Sequence, residues 1–167
     1  MKLKMTLCVA LAFTATALFA QSDYKQSIGL RFGSGYYDVV SAAYKTFLNE
    51  AGALEVNAGF HPYGVTGYRW VNASASVSYQ HHFPIKPVDG LKWFVGGGVV
   101  AANSFSSNDY YKGFSLGLFP TAGADYKFSK IPLAVSADVR PTIHVVKAVD
   151  YHNSFYPNAG VSARYTF

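Results

Sequence analysis

From Lys25 to Phe167 apolar side chains return at every second position, and a period of two belongs to a strand whose two faces meet different surroundings. The cleanest run sets Leu54, Val56, Ala58 and Phe60 against Glu55, Asn57 and Gly59. The longest sets Val71, Ala73, Ala75, Val77 and Tyr79 against Asn72, Ser74, Ser76, Ser78 and Gln80. Read this way, the chain divides into eight segments, 25–32, 39–48, 54–60, 68–80, 91–102, 113–126, 132–146 and 158–167. The 3.6-residue stripes and caps of a helical domain are missing.

The composition decides which face is which. A soluble β-sandwich keeps its apolar face inside and spreads Lys and Glu over the other. Here only 14% of residues are charged and 17% are aromatic, and the polar face consists mostly of Ser, Gly and Asn with a few isolated charges. That polar face suits a narrow lumen, which leaves the apolar face for lipid. In a bilayer every backbone group needs an internal partner, so strands can cross only as a closed barrel. Crossing takes ~9 to 11 residues per strand, and eight strands make the smallest barrel of this kind. The fold class expected is therefore all-β, an eight-stranded antiparallel up-and-down transmembrane barrel. The longest uncharged stretches, 70–85 and 93–108, are too short and too polar for a membrane helix of ~20 residues.

Residues 1–20 read as a cleavable secretory signal, with Lys2 and Lys4 ahead of an uncharged apolar run that ends at Ala20. Residues 21–167 are then the barrel. Cys8 is the one cysteine and falls within the signal, so the exported protein is expected to have no disulfide. The formal charge of +5 is not gathered into any basic cluster, which argues against nucleic acid as a partner.

An aromatic near-repeat fixes a direction for the strands. Tyr44, Tyr79, Tyr126 and Tyr165 each precede a Phe near the end of an even-numbered segment, and all four share the outward parity of the aliphatic residues. With Trp93 they form half of an aromatic girdle at one membrane interface. Connections on that side, at 49–53, 83–90 and 129–131, are short or Pro-rich. Those opposite, at 33–38, 61–67, 103–112 and 147–156, are mostly longer and rich in Tyr, Asn, Ser and Gly. Periplasmic termini and four outward loops are expected from this.

Three stretches carry a family resemblance. The terminal Ala163-Arg164-Tyr165-Thr166-Phe167, residues 126–141 and residues 91–98 are similar to those of small Gram-negative outer-membrane proteins with an OmpA/OmpX-type barrel. The resemblance implies a monomer in outer-membrane lipid, delivered by periplasmic chaperones and the barrel-assembly machinery. It implies Tyr165 and Phe167 as the C-terminal assembly signal. It implies no activity, no cofactor and no particular ligand for the loops.

By parity, Arg31, Lys45, Glu55, Lys92, Asp125, Lys127, Asp138, Arg140 and Arg164 point inward. The lumen of so small a barrel is wide enough only for side chains, so these charges are expected to plug it in pairs. Asp138 should meet Arg140 or Arg164, and Glu55 should meet Lys45 or Arg31, with Lys45, Lys92 and Lys127 nearest a rim. Two readings compete with a structural or surface-interaction role. A diffusion channel of the OmpW kind needs an opening through lumen or wall. His152 and Ser154 resemble the His-x-Ser pair of lipid A deacylases, but no Asp or Glu follows Asp150 to orient the His from later in the chain, so they are weak catalytic candidates. His81 and His82 are adjacent on a strand and point to opposite faces, which gives no metal site. Gly96 to Gly98 mark a kink, or room for a bulky inward neighbour. Pro120 and Pro141 fall at outward positions of a sheet without edges, where a bulge or a register slip is expected.

Overall fold

The computed structural model describes residues 24–65, 68–108, 112–147 and 154–167. The alternating segments become β1 (Gln26–Gly33), β2 (Val40–Phe47), β3 (Gly52–Val65), β4 (Tyr68–Pro84), β5 (Leu91–Ser106), β6 (Gly113–Lys127), β7 (Leu133–Val139), β8 (Thr142–Val146), β9 (Phe155–Tyr156) and β10 (Ala159–Thr166). Every pairing is antiparallel, β1 pairs with β10 and β5 with β6, and the sheet closes. The strands fill eight positions in the wall. β7 and β8 both pair with β6 and are two lengths of one strand, while β9 pairs with β8 and β10 with β7.

The burial pattern is inverted relative to a soluble sheet. Val161 is 57% exposed on the outside while Arg164, three residues on, is fully buried inside. Such a surface is stable only against hydrocarbon, as expected of a membrane barrel. Tyr44, Tyr79, Trp93, Tyr126 and Tyr165 all lie on the outer face, toward the rim formed by the short turns at 48–51, 85–90 and 128–132. Trp93 stacks on Phe83 at 4.4 Å, and Tyr126 meets Phe128 edge-on at 4.8 Å.

The wall is of uneven height. β3 to β6 run 14 to 17 residues and the β7–β8 strand spans 133–146, whereas β1 and β2 run eight each. Residues 61–65, expected in a loop, continue β3, and β5 likewise runs on to Ser106. Pro62 does not break β3 for a geometric reason. The Phe60 carbonyl accepts from Val39 N–H, so the backbone of Pro62, two residues on, faces the same side, where β2 has already ended. No donor is needed there, which is the edge position proline tolerates.

Pro120 and Pro141 are accounted for by an interruption of the strand and not by a one-residue slip. Ala122 pairs with Val139 and Leu118 with Ile143, so the common register sets Pro120 opposite Pro141. Arg140 N–H turns to the Asn158 carbonyl, so Pro141 faces β6. Lys127 N–H turns to the Gly90 carbonyl, so Pro120, at the opposite parity of β6, faces Pro141. Each proline lacks the N–H donor that the other's carbonyl would have accepted from. A bulge does occur, slightly above, between Leu116 and Gly117.

Candidate functional site

The lumen is filled in two tiers. The lower is a lattice of charges. Glu55 on β3 accepts from Arg140 at 2.6 Å and stands 3.2 Å from Lys45 Nζ. Asp125 on β6 accepts from Lys45 at 2.9 Å and from Arg164 at 3.0 Å. Asp138 on β7 accepts from Arg31 at 2.7 Å and from Arg140 at 2.7 Å. The wall has eight positions, and four steps separate β3 from β7 and also β2 from β6. The Glu55–Arg140 and Lys45–Asp125 pairs therefore each join opposite walls across the axis.

Both expected pairings form through their first alternative, Asp138 with Arg140 and Glu55 with Lys45, and not through the second. Arg31 reaches Asp138 and not Glu55, and Arg164 reaches Asp125, with Glu55 3.7 Å from it, and not Asp138. Lys45 is not near a rim; it is fully buried, with its ammonium also 4.9 Å above the Phe94 ring. Lys127 does sit at the short-turn rim, where it donates to the Ile131 carbonyl at 3.0 Å. Lys92 lies there too, 5.5 Å from the Phe47 ring. Strand parity knows which face a residue takes, but the height at which two side chains meet depends on stagger and on side-chain length.

Two groups that parity could not supply complete the lattice. Asp38, from the connection between β1 and β2, approaches Arg31 Nη1 at 3.5 Å, so that Glu55, Asp125, Asp138 and Asp38 face Arg31, Lys45, Arg140 and Arg164. Burial pushes its carboxyl above the usual carboxylate range, and Arg31 pulls the other way. Tyr24, ahead of β1, closes the lattice from the short-turn side by donating to Asp125 at 2.9 Å.

The upper tier is aromatic. Tyr36 and Tyr37, from the same connection as Asp38, fold into the mouth. Tyr63 Oη and Asn72 Nδ2 both donate to the Tyr36 carbonyl, at 3.0 and 2.9 Å, and His61 Nδ1 donates to the Gly35 carbonyl at 2.9 Å. Tyr36 stacks on Tyr156 at 4.6 Å, and Tyr63 stacks on Trp70 at 5.0 Å. Tyr37 is buried with Val100, Ala102 and Phe119, and its hydroxyl is hydrogen-bonded to His144 Nε2. Burial pushes this phenol up to about 12, so it keeps its proton. The lumen is thus less polar than the composition of its small residues suggests. Phe94 and Phe119 point inward, and each faces a glycine across the strand pair: a Cβ at Gly123 would come within 2.7 Å of Phe94, and one at Gly98 within 2.7 Å of Phe119. Their parity was readable, and Gly98 marks the room one of them needs.

Ser154 lies just before β9, exposed, and its carbonyl accepts from His144 N–H at 2.8 Å. His152 lies outside the described residues. Among the described residues no cluster of His, Cys, Asp or Glu could hold a metal.

No family model matches the chain, and no curated protein matches it by sequence. Solved structures do match in fold. The N-terminal β-barrel domain of Pseudomonas aeruginosa OprF superposes with a TM-score of 0.60 at 17% identity, over 87% of this chain and all of that one. Neisserial surface protein A gives a TM-score of 0.55 at 13% identity, over 85% of this chain and 94% of the other. With its closed eight-position wall and its inverted faces, the chain has the fold of the small outer-membrane β-barrels.

Proposed function

We propose that this protein is a small integral outer-membrane barrel, with a structural or surface-interaction role and no path for solutes along its axis. One observation carries the reading: the Glu55–Arg140 and Lys45–Asp125 pairs bridge opposite walls, and all four side chains are almost wholly buried. Buried charges that satisfy one another leave no free counter-charge for a passing ion, and displacing them is costly. The aromatic tier stands above this lattice. In this reading residues 1–20 direct export, periplasmic chaperones and the barrel-assembly machinery deliver the chain with Tyr165 and Phe167 as its assembly signal, and it works as a monomer without catalysis. The termini and short turns face the periplasm. The taller part of the wall, β3 to β8, carries its loops outward to meet other molecules.

Planar-bilayer recording tests the closed axis. Purified protein, shown to be folded by a shift in gel mobility on boiling, is expected to give no steady single-channel current. Such currents would favour the diffusion-channel reading. Unchanged mobility on boiling of a correctly assembled sample would remove the barrel itself.

A further inference from the structure

The three turns of the short-turn rim differ in charge. In the turn at 48–51 Glu50 is exposed beside Leu48, and exposed Lys25, whose carbonyl accepts from Phe47 N–H at 2.9 Å, stands next to it. Cation and carboxylate offset each other there. The turns at 85–90 and 128–132 each set an exposed lysine, Lys86 or Lys130, within two residues of an exposed apolar side chain, Val88 at 46% or Ile131 at 48%. Asp89 is the one carboxylate in these two turns. They adjoin, because Lys127 N–H donates to the Gly90 carbonyl at 2.9 Å. Lys127 Nζ donates to the Phe128 and Ile131 carbonyls at 2.5 and 3.0 Å, which ties a further charge to the turn that carries Lys130. In the sequence these lysines form no run; the β5–β6 pairing gathers them. On the lipid face beside them lie the Phe83–Trp93 stack and the Tyr126–Phe128 pair. Rings of that kind mark the membrane–water interface, so the two turns stand at the level of the headgroups.

We propose that the turns at 85–90 and 128–132 form a binding site for anionic phospholipid, with Lys86 and Lys130 attracting the headgroup and Val88 and Ile131 meeting the upper part of the acyl chains. The occupant follows from charge. A zwitterionic headgroup brings its own ammonium, whereas an anionic one leaves its phosphate to be balanced by lysines that have a single carboxylate among them. It follows from position as well, because a lysine stem can lie along apolar surface and set its ammonium among the phosphates. This inference rests on the membrane placement proposed above and is independent of the closed axis.

The test compares two brominated lipids as fluorescence quenchers. In Trp70→Phe the remaining Trp93 lies on the outer face, 44% exposed, beside the two turns. The protein is reconstituted in phosphatidylcholine vesicles with the same small mole fraction of either brominated phosphatidylglycerol or brominated phosphatidylcholine. Quenching severalfold stronger by the phosphatidylglycerol is expected. The preference should vanish when Lys86→Gln and Lys130→Gln are combined, and it should fall in molar salt, which screens headgroup charge. A tryptophan at the balanced turn, Leu48→Trp in a Trp70→Phe, Trp93→Phe background, should show no preference. Equal quenching of Trp93 by the two lipids overturns the site. So does a preference that survives loss of both lysines, persists undiminished in molar salt or is as strong at position 48. Absence of quenching by either lipid would sink the membrane placement separately. If the glutamine variant does not fold, native mass spectrometry of the unaltered chain decides. Phosphatidylglycerol retained over phosphatidylcholine from an equimolar mixture supports the site, and equal retention overturns it.

Discussion

The two tiers of the lumen do the same job by different physics. Below, Glu55, Asp125 and Asp138 are held by cations from strands on several sides of the barrel, and nearly every contact is between groups that the strands themselves carry. Above, Tyr36 and Tyr37 come from a connection and fill the mouth by stacking and by hydrogen bonds to carbonyls. The charged tier holds its shape because each buried charge would be expensive to strand. The aromatic tier holds through several contacts of modest size. The lower tier is therefore the brittle one and the upper tier the adjustable one.

The largest effect should come from Asp138→Ala, which leaves Arg31 and Arg140 each short of a buried partner. A loss of ~3 to 5 kcal/mol is expected in urea unfolding from bilayers. A variant as stable as wild type would mean that water reaches the lattice and that the contrast between tiers is false.

Next comes Tyr63→Ala, which removes ring contacts with Tyr36, His61 and Trp70. At ~0.5 to 1.5 kcal/mol for each aromatic pair, the three come to ~1.5 to 4.5 kcal/mol, centred below the loss expected for Asp138→Ala. A larger loss would reverse the ranking of the tiers.

Tyr37→Phe removes the hydroxyl, with its hydrogen bond to His144 and its contact with Ser115, and should cost about 1 kcal/mol. The same unfolding measurement reads it, and a loss comparable to that of Asp138→Ala would make this bond the keystone of the upper tier.

The smallest effect is expected at the border, from Asp38→Asn, and it should show as pH dependence. Burial raises the folded-state pKa of Asp38 above its unfolded value. Its contribution is then fully present below about pH 4, the unfolded carboxylate pKa, and is lost as pH rises through the folded value. The Asn variant should therefore gain on wild type between pH 3 and pH 7 in thermal unfolding. A shift of the opposite sign would show that Arg31 outweighs burial.

Much of this arrangement was legible in the chain. Alternation placed Glu55, Asp125 and Asp138 on the inward face and Tyr79 and Trp93 on the outward face, because a strand's side chains change sides at every residue whatever surrounds them. The ends of β3 were not legible. Pro62 reads as a strand breaker until the end of β2 is known, since only then is it clear that no neighbour asks for its missing donor. The upper tier was hidden for a related reason: Tyr36, Tyr37 and Asp38 lie in a connection, where no period tells a reader which way a side chain points.

The sequence by itself determined the wall: the period of two, the face turned to lipid, the aromatic rim, and which charges are confined inside. Only the tertiary structure decided which of those charges touch, that Asp38 and Tyr24 join them, and that Pro120 meets Pro141 across one strand pair. The physical reason is that parity is a local property of an extended backbone. Pairing across a lumen depends instead on the stagger of strands that are far apart in the chain, and stagger is fixed only when the barrel closes.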